Sequence, residues 1–104
     1  MFQEINTDEF KQNVLPNNKG KFILVFHALW CPPCRQFKNP LTELAEKDGV
    51  QVYRINVDEN PSLAAEYRVS SIPAWFIYNN GEVAYNGGGY LPYEEIKKVF
   101  DSVK

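Results

Sequence analysis

Two cysteines, Cys31 and Cys34, are the residues with the clearest chemical potential in this 104-residue chain, which has no other cysteine. In the stretch "WCPPC" the second thiol follows the first by three residues. On a helix that spacing puts the two α-carbons roughly 5 to 5.5 Å apart, inside the window of about 4.4 to 6.8 Å that a disulfide requires. The pair can therefore close a local disulfide, exchange with a disulfide in another molecule, or supply two ligands to a metal.

The position of Cys31 along the chain favours exchange. Residues 21–28, "KFILVFHA", form a continuous apolar run that is typical of a strand buried on both faces. After the cysteines, Phe37, Leu41 and Leu44 recur at helical spacing. At such a junction the first amides of the helix lack internal partners and the dipole's positive end points outward. A thiolate is stabilised there, so we expect a Cys31 pKa below the ~8.5 of a free thiol.

The two cysteines are expected to play different parts in that exchange. Cys31 lies nearer the loop, so we expect it to be the more exposed thiol and to attack a disulfide in another molecule. Cys34 lies inside the helix, above its apolar face, and can then attack the sulfur of Cys31 and release the product. Pro32 suits the first helical position, where its missing N–H is not needed, and Pro33 stiffens the turn further.

A metal site is the main chemical alternative for the pair. Zinc or iron–sulfur binding takes about four ligands, and the only other candidate is His27, near the end of the predicted strand. A single histidine at a strand end is more often structural than a general base. We therefore expect neither a metal nor a bound cofactor.

The elements that position the cysteines alternate along the chain as β-α-β-α-β-α-β-β-α. A strand, a crossover helix and a second strand are parallel and right-handed, whereas a hairpin is antiparallel. The result is a mixed α/β sheet with helices on both faces. The predicted strands are 2–5, 21–28, 50–58 and the two halves of 74–85, joined at Asn80-Gly81; the predicted helices start at Thr7 as N-cap and stop before Pro16, and then cover 35–47, 60–68 with Asn60 as cap, and 92–103.

Composition limits the classes of partner. The length fits one domain, residues 1–104, and 44% apolar residues suffice for a globular core. The net charge is −2 and no basic stripe exists, so a nucleic-acid partner is discounted. The N-terminus lacks the pattern of a signal peptide, and the longest apolar run, "FILVF", is far short of the ~20 residues that cross a membrane. We expect a monomeric, cytoplasmic protein.

Several motifs together resemble one family. "WCPPC" after a buried strand, "NVDENP" at 56–61, "SSIPAWF" at 70–76, "NGEV" at 80–83 and Gly89 are similar, in order and spacing, to the landmarks of the thioredoxin family. The resemblance covers essentially the whole chain. It implies the thioredoxin fold, a five-stranded mixed sheet flanked by four helices. It also implies dithiol–disulfide exchange, with Cys31 as the attacking and Cys34 as the resolving cysteine.

The resemblance further implies a groove for target peptides beside the cysteines, formed by Trp30, Ile72, Pro73 and the Gly89 region. The family's cis-proline corresponds to Pro73. With that bond cis, the backbone of Ile72 could hydrogen-bond an extended target segment in the manner of an added strand.

The two tryptophans and a run of three glycines are expected to occupy different parts of the fold. We expect Trp30 to lie at the rim of the site and contact substrate, and Trp75 to belong to the core. The run Gly87-Gly88-Gly89 is expected to form a turn or bulge, in which only Gly89 allows close approach of a substrate backbone.

The chain departs from the family pattern at three positions. Val25 stands where thioredoxins usually carry a buried aspartate that helps to deprotonate the resolving cysteine, so resolution is expected to depend more strongly on pH, or on water or another acid. Pro32 replaces the usual glycine, as in tryparedoxin-like proteins. Pro40 lies six residues after Cys34 rather than five, which predicts a one-residue bulge in the helix.

The function that these features predict is reduction of disulfides in target proteins. Electrons would come from a thioredoxin reductase or another dithiol donor. Two alternatives stay open: a non-catalytic binding module or assembly subunit with the same fold, and a protein that acts as a net disulfide oxidant or isomerase.

Overall fold

The computed structural model describes all 104 residues and contains one mixed sheet of five strands. The strand order across the sheet is β1-β3-β2-β4-β5. Strands β1, β3 and β2 are mutually parallel, whereas β4 runs antiparallel to both β2 and β5. This topology confirms the mixed sheet that the element order predicts and the fold that the resemblance implies. The strands are β1 Phe2–Glu4, β2 Phe22–His27, β3 Gln51–Asn56, β4 Ala74–Asn79 and β5 Glu82–Gly88.

Four helical segments flank the sheet. The first, α1, covers residues 7–17 and consists of α-helical Thr7–Glu9, π-helical Phe10–Val14 and α-helical Leu15–Asn17. The others are α2 Pro32–Asp48, α3 Pro61–Glu66 and α4 Tyr93–Ser102. Segment α3 is shorter than the predicted 60–68, because the chain turns out of the helix at Arg68, whose φ is 55°.

Both ends of α1 differ from the prediction. Asn6, not Thr7, is the N-cap: its side chain accepts from the Glu9 amide at 2.8 Å, and Glu9 accepts from the Asn6 amide at 3.2 Å. This reciprocal arrangement satisfies two otherwise unpartnered amides. The helix also continues past Pro16. A wide turn, closed by the Leu15 amide on the Phe10 carbonyl, precedes the proline, which then falls in the first turn of a new α-helical stretch, where its missing N–H is tolerated.

The expected bulge in α2 is wrong. The segment is α-helical throughout, with Pro40 buried inside it. A proline removes one hydrogen bond, and a helix can relieve the clash of its ring by bending instead of by inserting a residue. The pattern of apolar residues, Phe37, Leu41 and Leu44, therefore faces the sheet without a shift in phase.

Strand β2 is the centre of two cores. All six of its residues are buried. Alternate side chains point to opposite faces of a strand. Ile23 and Val25 join the core beneath α2 and α4, whereas Phe22, Leu24 and Phe26 join the core beneath α1 and α3. The unbroken apolar run therefore predicted a doubly covered strand correctly. Cys31 follows shortly after the carboxyl end of this strand.

The hairpin of β4 and β5 turns at Asn80-Gly81, as predicted, with positive φ at both residues. The glycines at its far end behave differently from the prediction. Gly87 and Gly88 pair in register with Trp75 and Ala74, so they belong to β5 and not to a turn or bulge. A Cβ on Gly87 would collide with the indole ring of Trp75. The irregularity in this pair of strands lies instead at Ile77 and Tyr78.

Candidate functional site

The two cysteines lie where the sequence places them, between β2 and α2. Cys31 is the N-cap of α2, with Pro32 and Pro33 in the first turn. The two residues are joined as a disulfide, with α-carbons 5.2 Å apart. The Cys34 amide donates a hydrogen bond to the Sγ atom of Cys31 at 3.3 Å. An amide that has no acceptor within the helix therefore donates to the sulfur atom. This is the geometry that stabilises a thiolate.

The expected difference in exposure is wrong for the disulfide form. Cys31 is 3% exposed and Cys34 is 2% exposed. Cys31 packs against Ala28 and Ile72, which cover it. The two sulfurs differ in a different way: Cys31 lines an apolar cavity of about 440 Å³, together with Trp30 and Ile72 among others, whereas Cys34 does not line it. Access to the pair is therefore through this cavity and on the Cys31 side.

The residues just before Pro73, Ser70 to Ile72, also line the cavity. The Ile72-Pro73 bond is cis, as the resemblance implies. The carbonyl oxygen of Ile72 lies 3.8 Å from the Cys31 Sγ atom. Pro73 is buried, and its carbonyl accepts from the Gly89 amide at 2.8 Å. Gly89 has a φ of 82°, and no atom lies within 4 Å of where its Cβ would be. Of the predicted groove residues, Trp30 and Ile72 line the cavity together with Cys31, whereas Pro73 and Gly89 are not part of its lining.

Trp30 is the most prominent side chain at the rim. It is 64% exposed, and its indole N–H donates to the Asp58 carboxylate at 2.8 Å. Sequence reasoning missed Asp58. The signal was the acid in "NVDENP", two residues beyond the carboxyl end of β3. Cys31 likewise follows the carboxyl end of β2, which is parallel to β3. Trp75 is buried, as predicted, and its indole N–H donates to the Gly89 carbonyl at 3.1 Å.

His27 has a structural role. Its ring is buried, and Nε2 lies 2.9 Å from the Glu4 carboxylate, which also pairs with Arg54. Partial burial acts to raise the pKa of Glu4, but the hydrogen bonds and charges of His27 and Arg54 together lower it. These three side chains tie β1, β2 and β3 together at the end of the sheet nearest the cysteines. His27 is therefore buried and held by Glu4.

Val25 belongs to the apolar core with Phe37, so β2 supplies no carboxylate to the site. The chain also has no group of three or more His, Cys, Asp or Glu side chains arranged to hold a metal ion.

The thioredoxin family model matches residues 1–102. The chain belongs to the thioredoxin family. It is 37% identical over 93 residues to a thioredoxin of Streptomyces clavuligerus, an alignment that covers 88% of this chain and 86% of the relative. It is 35% identical over 103 residues to a thioredoxin of Listeria monocytogenes, with 97% of each chain covered. Among solved structures, chloroplastic thioredoxin z superposes with a TM-score of 0.88 at 27% identity, covering 97% of this chain and 92% of that one.

Family membership and the Cys31–Cys34 pair identify the activity. This thioredoxin-family chain is a thiol-disulfide oxidoreductase that reduces disulfides in proteins. None of its helices combines the length and apolar character needed to cross a membrane.

Proposed function

We propose that Cys31 is the attacking thiol and Cys34 the resolving thiol of this reductase. One observation carries the assignment: the Cys31 sulfur accepts from the Cys34 amide at the start of α2 and lines the cavity, whereas Cys34 lies one turn behind it and outside the cavity. A target disulfide that enters the cavity therefore meets Cys31 first.

The reaction begins from the dithiol form. The Cys31 thiolate attacks one sulfur of the target disulfide; the bond between the two target sulfurs breaks, and the departing target thiolate takes up a proton. A mixed disulfide now joins Cys31 to the target. Cys34 gives up its proton and its thiolate attacks the Cys31 sulfur; the mixed disulfide breaks, and the second target sulfur leaves as a thiolate that takes up that proton. Two electrons and two protons have passed to the target, and the Cys31–Cys34 disulfide is closed.

The groove residues take part through shape and backbone. The Ile72 backbone, next to Cys31, offers hydrogen-bonding groups to an extended target segment, in the manner of strand addition. Pro73 holds that backbone in place, and Trp30, fixed by Asp58, presents an exposed aromatic surface. Open space above Gly89 leaves room for a target backbone. Main-chain recognition of this kind tolerates many target sequences.

The partners follow from the same chemistry. The targets are proteins with disulfides, and a thioredoxin reductase or another dithiol donor reopens the Cys31–Cys34 disulfide. The protein acts as a monomer in a reducing compartment, for which we propose the cytoplasm. A chloroplast protein is among the similar structures, so location within the cell is best tested directly by fractionation.

Replacing both cysteines, as Cys31→Ser with Cys34→Ser, tests the proposal against the binding-module alternative. Loss of reduction of a disulfide-linked peptide dimer, together with loss of the biological activity, supports the enzyme. Full retention of the biological activity supports the binding module. The single variant Cys34→Ser should accumulate the mixed disulfide at Cys31, and accumulation at Cys34 in Cys31→Ser instead would reverse the assignment.

Equilibration of the pair with glutathione tests the direction of electron flow. A reductant has a potential more negative than the cellular glutathione poise, so the pair should remain largely oxidised when mixed with glutathione at that poise. A pair that is fully reduced by glutathione would identify a net oxidant.

A further inference from the structure

Arg68 occupies a backbone conformation that arginine seldom adopts. It follows α3 with a φ of 55°, in the left-handed region. Its amide donates to the Ala65 carbonyl at 3.0 Å, and the next amide, of Val69, donates to the Ala64 carbonyl at 2.9 Å. These two bonds end the helix in the Schellman arrangement, where glycine is the usual residue at the left-handed position. The helix ending therefore does not explain why an arginine stands there.

The surroundings of Arg68 point towards the site. The residue is exposed and takes part in no ion pair. Glu66, at the end of α3, pairs with Lys11 at 3.0 Å. Arg68 lines a small cavity of about 200 Å³ that shares Val69, Ser70 and Ser71 with the cavity of Cys31. It is the only charged side chain lining either cavity. A single unpaired cation thus lies on a surface continuous with the groove.

We propose that Arg68 is a specificity-determining residue that binds an aspartate or glutamate side chain of the target, near the disulfide being reduced. The inference rests on the proposed function, because it assumes that the target segment lies along Ser70–Ile72. An acidic side chain there would meet Arg68 in the adjoining cavity. Asp58, which accepts from the Trp30 indole, lines neither cavity.

Chain dimensions set the position of the acidic residue. Arg68 lies four residues before Ile72, whose carbonyl is beside the Cys31 sulfur. Four residues span at most about 13 to 14 Å, and an extended target covers that distance in about four residues. The acidic residue therefore lies within about four positions of the target cysteine and on one side of it only, because Arg68 lies at one end of the groove.

Peptides of stated sequence test the proposal. Each is a ten-residue peptide with one cysteine held in a mixed disulfide with cysteamine, and carries either glutamate or glutamine at one position within four of the cysteine. The measurement is the single-turnover rate constant of reduction by the dithiol form of the protein. We expect glutamate to raise the rate about 1.5- to 5-fold at positions on one side, the range for an exposed ion pair. The preference should fade at 1 M salt, where the screening length is about 3 Å.

Three variants locate the effect. Arg68→Gly, which suits the left-handed backbone and so keeps the helix ending, should abolish the preference, so that the glutamate and glutamine peptides are reduced at equal rates. Arg68→Glu should reverse it. Lys98→Glu, on the exposed surface of α4, makes the same change in net charge and should retain the preference.

Two results would overturn the inference: an equal glutamate-to-glutamine ratio in the wild type and Arg68→Gly, or loss of the preference in Lys98→Glu as well. The glutamine peptides provide the separate test of the proposed function. If the wild-type dithiol reduces none of them, the proposed function fails; if it reduces them without any glutamate effect, only the role of Arg68 fails.

Discussion

Val25 and Arg54 stand opposite each other in the register of β2 and β3, and the guanidinium of Arg54 forms its ion pair with Glu4 on the neighbouring strand. A carboxylate at position 25 would have Arg54 as a neighbour, whereas valine packs into the core and leaves the arginine to Glu4. If Cys34 is the resolving thiol, as proposed above, the resolving step therefore proceeds without the acid that the family resemblance places on this strand.

Val25→Asp should change the pH dependence of resolution. The new carboxylate can accept the proton of Cys34, so release from a mixed disulfide at Cys31 should accelerate at pH 6. We expect an acceleration of about tenfold, which is smaller than an optimised general base usually gives. In the control variant Val25→Asn the new side chain has the shape of aspartate without its charge, and it should give no acceleration. The measurement is the rate of release of a labelled peptide between pH 5 and 9. Identical profiles for Val25→Asp and the wild type would contradict this account of the site.

Glu4→Gln should lower stability above the ordinary carboxylate pKa. The pKa of Glu4 is lowered in the folded protein, because His27 and Arg54 outweigh the effect of partial burial. A lowered folded-state pKa contributes stability that is present above 4.5 and lost as pH falls through the folded value. Because about half of the Glu4 side chain is exposed and solvent screens its ion pairs, we expect the variant to lose only about 0.5 to 1 kcal/mol of unfolding free energy at pH 7, with a smaller difference in acid.

Urea unfolding at several pH values measures that effect, with Glu59→Gln as the control, since Glu59 is exposed and forms no ion pair. A loss that is the same at pH 3 and pH 7 would show that the side chain stabilises by packing and not by charge.

Gly87→Ala should destabilise the edge of the sheet. Its new methyl group would collide with the Trp75 ring, which is buried and cannot move freely. Overpacking of this kind costs about 1 to 3 kcal/mol. At Gly88 the nearest atom to a new Cβ is 3.4 Å away, an ordinary contact, so Gly88→Ala should cost less. Chemical unfolding followed by tryptophan fluorescence compares the unfolding free energies of the two variants. Equal losses of stability would mean that strand propensity, and not the collision with the indole, causes the destabilisation.

The parts of the fold that the sequence predicts best are those set by local patterns with a single physical solution. Six consecutive buried residues in β2 follow from an unbroken apolar run, and the turn at Asn80-Gly81 follows from two residues that tolerate positive φ. Cys31 as N-cap follows in the same way from the junction and from Pro32 behind it.

The features that escaped prediction depend on contacts between distant segments or on uncommon backbone states. The bond from Trp30 to Asp58 joins residues 28 apart, and nothing local to either specifies it. Arg68 has a positive φ, a backbone conformation that residues other than glycine seldom adopt. The near-complete burial of Cys31 arises because Ile72, 41 positions later, packs over it.

The most direct test of the central claim is the pH dependence of alkylation in the reduced protein. Iodoacetamide is added between pH 4 and 10, and mass spectrometry identifies the modified residue. The account predicts that Cys31 reacts first, with an apparent pKa below the ~8.5 of a free thiol, and that the untreated pair cycles between dithiol and disulfide. An apparent pKa at or above that value, or Cys34 reacting before Cys31, would contradict it.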